Sequence, residues 1–133
     1  TEAELESRYE IFMEEYAKKV KIEGELSLSM ARTIIQPAAG KQVAELAEAL
    51  VNMSAAGLTS GVAAKRETAE LLGKLLDNVT KECNDLEYAL KTGNQAPVLK
   101  AMAALRADVD MLELHIDDEI WPLPKYREML FIS

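Results

Sequence analysis

The sequence is short of nearly everything that catalysis and extracellular life require. It holds one histidine, His115, and one cysteine, Cys83. A single cysteine excludes an internal disulfide framework and fits a reducing cytoplasm. A di-metal carboxylate bundle needs Glu-x-x-His on two helices; here residue 112 is leucine and no second histidine exists. There is no Gly-x-Ser-x-Gly elbow, no Gly-rich phosphate loop and no Gly-x-Gly-x-x-Gly. No apolar run approaches the ~20 residues of a spanning helix, and the acidic, polar start Thr1-Glu2-Ala3-Glu4 is no signal peptide. β-Branched residues are thin, and neither Asn-Gly nor Asp-Gly marks a hairpin. Positive charge is in deficit: 15 Lys+Arg stand against 23 Asp+Glu, a net charge of −8. Nucleic-acid backbones and anionic lipid would repel such a chain.

What is present favours helix. Nineteen alanines and eighteen leucines dominate the 133 residues, together with many Glu and Lys, all strong helix formers. A hydrophobic content of 49% is too high for disorder, and the length suits one core. Leu5, Tyr9, Phe12, Tyr16 and Val20 recur at steps of three or four, the spacing of one helix face. Gly24 follows as a C-cap glycine would. A second segment starts near Ser27 or Ser29 and carries Met30, Ile34, Val43, Leu46, Leu50 and Met53. A third carries Leu72, Leu76, Val79, Cys83, Leu86 and Leu90, and closes at Thr92-Gly93-Asn94. Pro97 then suits position N1 of a fourth helix, with Val98, Met102, Leu105, Val109, Leu112 and Ile116 as its stripe. The expected fold is all-α: an up-down antiparallel four-helix bundle, residues 1–133 forming a single helical domain. Pro37 falls inside the second pattern, where its ring collides with the carbonyl of Thr33, so a kink is expected there.

Few residues rise above this architecture. Cys83 reads as a small buried hydrophobe, since nothing at mid-helix lowers its pKa, and His115 as an ion-paired surface residue. No catalytic, cofactor-binding or metal-binding residue is assigned. Two features are candidates for interaction. Asp117, Asp118 and Glu119 place three negative charges at a helix C-terminus, where the macrodipole is already negative. An apolar C-terminal tail follows, with Trp121, Tyr126, Met129, Leu130 and Phe131 too large and apolar to stand in water cheaply. It docks either on its own bundle or on a partner surface.

Several stretches resemble the C-terminal helical region of type III glutamine synthetases. They are Ser7-Arg8-Tyr9-Glu10-Ile11-Phe12-Met13-Glu14-Glu15-Tyr16, Ile22-Glu23, Ile34-Ile35-Gln36-Pro37-Ala38, Leu105-Arg106-Ala107-Asp108-Val109-Asp110 and Leu112-Glu113. The ending Trp121-Pro122-Leu123-Pro124-Lys125-Tyr126-Arg127-Glu128-Met129-Leu130-Phe131 carries the likeness furthest. The resemblance implies a piece of a large cytoplasmic enzyme that joins ammonia to glutamate through a γ-glutamyl phosphate. That parent would use ATP and Mg or Mn, in a ring-built homo-oligomer. This segment would follow the catalytic domain, its first partner, and serve structure or subunit contacts. A regulatory protein-docking module of the same enzyme, or a free-standing helical adaptor, is the alternative.

Overall fold

The computed structural model describes residues 1–123, and every element among them is helical. Helix α1 spans Glu2–Met30, helix α2 Gln36–Ala55, helix α3 Val62–Thr92 and helix α4 Gln95–His115. A five-residue π-helical turn, Ala31–Ile35, joins α1 to α2 with no break between them. The four segments therefore form three rods, and the first is the longest. Its parts of 29, 5 and 20 residues reach roughly 80 Å at 1.5 Å per residue, against roughly 47 Å for α3.

Two expectations about the first rod need correcting. Gly24 does not end a helix: it lies inside α1 and is buried there. Glycine stands at this point because a Cβ would come within 3.0 Å of Leu90 Cδ2 and 3.2 Å of Val98 Cγ1. The close approach of three helices, not a cap, selects it. The first and second helices also do not fold back on each other, because no turn separates them.

Pro37 sits at the second position of α2, directly after the π turn. Proline removes one N–H and crowds the carbonyl four residues back. The wider turn ahead of it, in which Gln36 N–H donates to Ala31 O five residues back, accommodates that crowding without ending the helix.

Helix α3 is the spine of the core. Leu72, Leu75, Val79, Cys83, Leu86 and Ala89 are buried along it, against Ala31, Ile35 and Ala39 of the first rod and Val98, Leu105 and Leu112 of α4. Across the first interface, Arg32 donates to Asn84 and Glu87 at 3.1 and 2.7 Å, and Gln36 donates to Thr80 at 2.7 Å. Numbers rise on one helix and fall on the other, so these two run antiparallel. Gly93, with φ at +78°, closes α3 in the left-handed conformation that suits glycine. Asn94 then caps α4, which places Pro97 in the third position rather than the first; both are positions where no intrahelical N–H bond is lost.

One polar group is embedded between α3 and α4. Half-buried Glu82 faces half-buried Asp108, and Glu82 Oε2 is buried without a hydrogen-bond partner. Burial, then the facing carboxyl of Asp108 and the charge of Asp85, push Glu82 up to about 8, with Lys81 opposing. The protonated acid is thus the form the fold prefers.

Two predictions follow from this packing. Gly24→Leu lowers unfolding stability by about 1–3 kcal/mol through overpacking. Gly40→Ala, at a helix-interior site where nothing lies within 4 Å of an added Cβ, raises it by about 0.5–1 kcal/mol. Denaturant titration measures both. For Glu82, a folded-state pKa above the ordinary value of 4.5 means the native state binds the extra proton, so stability falls as pH rises from about 4.5 through 8. Glu82→Gln flattens that part of the thermal-midpoint profile. Its midpoint matches the parent chain at pH 4 and exceeds it at pH 8.

Candidate interaction surface

Because α3 ends at Thr92 and meets Gly24 through Leu90, no element among the described residues covers the start of α1. Residues 1–19 are exposed, except for half-buried Met13 and Ala17. Leu5, Tyr9, Phe12 and Tyr16, four residues within one narrow helical stripe, are 66, 65, 63 and 40% exposed. The rings of Phe12 and Tyr16 stack on each other with centroids 6.4 Å apart. The periodicity that reads as a core face is real, but only Val20, at the stripe's end, reaches the core. Ile22 and Leu26 are exposed as well. Glutamates 2, 4, 6, 10, 14 and 15 surround the stripe, followed by Lys18, Lys19 and Lys21. The helix starts on its own cap, Thr1 Oγ1 accepting from Glu4 N–H at 3.4 Å.

The opposite end of the molecule holds the acidic and aromatic candidates. Asp117, Asp118 and Glu119 are exposed and lie beyond the last helical turn, since α4 ends at His115. Asp117 organises the chain there. Its N–H donates to Gln42 Oε1 at 2.9 Å, its Oδ1 accepts from Glu119 N–H at 2.9 Å, and its carbonyl accepts from Ile120 and Trp121 at 3.0 and 2.9 Å. Gln42 is 8% exposed and carries this tie between α2 and the turn. Sequence patterning gives no sign of it, because a glutamine among alanines in a helix reads as surface. The turn aims Trp121 inward, where it is 7% exposed and part of the core. Tyr126, Met129, Leu130 and Phe131 lie outside the described residues.

The remaining reactive groups have structural surroundings. Cys83 is buried, and loss of solvent pushes its thiol up, against the opposing charge of Arg32. The hydrogen bond and charge of Arg32 hold half-buried Glu87 below the usual carboxylate range, with Lys91 adding to them. His115 is half-buried rather than on the open surface. Among the described residues, no three His, Cys, Asp or Glu side chains come together as a metal site. No described helix is long and apolar enough to cross a membrane.

The exposed stripe contributes little to the fold of the isolated chain. Phe12→Asp leaves the thermal midpoint of the isolated 133-residue chain unchanged within the ~0.5 kcal/mol typical of surface substitutions. Trp121→Ala lowers its stability by about 3 kcal/mol or more, as loss of a buried aromatic does. Thermal and denaturant unfolding of the two variants separates an exposed stripe from a core residue.

Comparison with known proteins bears on the same end of the chain. The family model of the glutamine synthetase C-terminal domain matches residues 1–54, which take in α1, the π turn and nearly all of α2. A glutamine synthetase of Bacteroides fragilis is 32% identical over 98% of this chain. A type-3 glutamine synthetase of Dictyostelium discoideum is 32% identical over 97%, and a glutamine synthetase of Butyrivibrio fibrisolvens 29% identical over 98%. The chain spans about a fifth of the length of each of these relatives. No solved structure matches. With a family match over the first rod and similarity along nearly its whole length, the chain is similar to glutamine synthetases, and its first 54 residues match the model of their C-terminal domain.

Proposed function

We propose that residues 1–133 form a single non-catalytic domain that follows the catalytic domain of a longer glutamine synthetase and holds that enzyme's domains or subunits together. The parent reaction is the ATP-dependent ligation of ammonia to glutamate, with Mg or Mn, in a cytoplasmic homo-oligomer. None of that chemistry is assigned to residues of this chain.

The observation that carries the reading is the bare stripe of Leu5, Tyr9, Phe12 and Tyr16. A helix kept in water does not need three aromatics on one face. Covering such side chains releases several kcal/mol, enough to matter for association once ordering costs are met. The partner we assign is the catalytic part of the same parent assembly. The stripe lies at the chain's N-terminal end, and about four fifths of each relative's length lies outside the match. The acidic run around the stripe calls for basic residues on the covering surface.

The test is made in the full-length enzyme. Tyr9→Asp with Phe12→Asp is followed by light scattering, thermal unfolding and glutamine formation. We expect the assembly to loosen and activity to fall with it, while the isolated 133-residue chain is unaffected. Unchanged assembly, stability and activity would overturn the reading. Altered response to effectors with the assembly intact would also overturn it, and would favour a regulatory docking role.

A further inference from the structure

Helices α3 and α4 turn very different faces away from the core. Val98, Leu105 and Leu112 of α4 point inward. At about 100° per residue, the side opposite them carries Ala96, Lys100, Ala103, Ala107, Asp110 and Leu114, all exposed. The corresponding face of α3 carries Glu70, Lys74, Asp77 and Lys81, also exposed, as a face kept in water does. On α4 the large side chains in the open are apolar: Leu114 is 75% exposed, and Leu99 and Met111, at the edges of the same face, are 40 and 41% exposed. A contiguous apolar face of this kind marks a contact surface. We propose that it is an interface between two copies of the chain, paired antiparallel about a two-fold axis beside Leu105. It lies on a different surface from the α1 stripe and does not rest on the parent's reaction.

The charges and sizes along this face select a second copy and its direction. From Ala96 to Leu114 the six residues alternate steps of four and three, the seam spacing of a two-helix contact. A two-fold interface must be complementary to itself, and this seam is so in the antiparallel sense. Ala103 meets Ala107 of the second copy at the centre, where small side chains let the helices approach closely. Leu114 meets Ala96 at each end, large against small. Between them Lys100 meets Asp110, twice by symmetry. A parallel match would instead set Lys100 against Lys100 and Asp110 against Asp110. Among the described residues neither charge is engaged in a salt bridge. Arg106, at the seam's edge, borders the groove between the end of α1 and α4, together with Met102 and Val109. The contact is roughly 27 Å long. One helix pair of that length falls short of the ~1,200 Å² at which standard stable interfaces begin, so the isolated chain pairs weakly. Two chains of net charge −8 also repel at long range, a repulsion that physiological salt screens beyond about 8 Å.

Sedimentation equilibrium of the 133-residue chain, from dilute to millimolar at physiological salt, tests the pairing. We expect a reversible monomer–dimer equilibrium. Lys100→Glu sets a glutamate against Asp110 of the second copy at both symmetric places, and should weaken dimerisation about tenfold. Asp110→Lys should do the same. Combining the two exchanges the charges and should restore the dimer. Both positions are exposed, so helical circular dichroism should be retained in all three variants. Tyr9→Asp with Phe12→Asp should dimerise as the parent chain does, which separates this face from the α1 stripe. A chain that stays monomeric throughout the range would overturn the proposal. So would single reversals without effect, or an exchange that fails to restore the dimer. A dimer lost with Tyr9→Asp and Phe12→Asp would also overturn it, and would assign the pairing to the α1 stripe.

Discussion

The constraint on which the rest depends is a mismatch of length. The first rod continues from Glu2 to Ala55, whereas α3, the helix it packs on, reverses at Gly93. A helix of roughly 80 Å laid against one of roughly 47 Å must leave part of itself uncovered. Packing begins only at Val20 and Gly24. Everything ahead of them is held by helix propensity, by the Thr1 cap and by the cooperativity of a helix already nucleated in the core.

That uninterrupted rod has two points of potential failure, and local chemistry answers both. At Gly24 the bare backbone lets Leu90 and Val98 close in where any larger residue would hold them off. At Pro37 a π turn absorbs the missing donor and the ring. The same turn carries Arg32, which engages Asn84 and Glu87 of α3. Local irregularity and interhelical attachment therefore fall at one place. At the far end Gln42 and Asp117 do comparable work, tying the turn after α4 back to α2 and directing Trp121 into the core.

Much of this was legible in the residues. The stripes of α3 and α4 are read well: Leu72, Val79, Cys83, Leu86, Val98, Leu105, Leu112 and Ile116 are all buried, and Gly93 ends α3 as its position implies. Leu75 takes a core place expected of Leu76, and Met102 and Val109 are only half-buried because they border the groove. What patterning could not supply is knowledge of what lies opposite a face. Leu5, Tyr9, Phe12 and Tyr16 have the period of a core helix, yet period is a property of one segment and burial a property of two. Gly24 shows the same limit, since a glycine at a helix end and a glycine at a helix crossing look alike in one dimension. Gln42 and the Glu82–Asp108 pair are contacts between distant residues, with no local signature.

The most direct check of this account is amide hydrogen exchange along α1, in the isolated chain and in the full-length synthetase. We expect residues 2–19 to exchange quickly in the isolated chain, far ahead of the buried part of the rod, and to become protected in the full-length enzyme. Equal exchange of residues 2–19 in both would mean that the enzyme leaves the stripe bare, and the account of it as an assembly surface would be wrong.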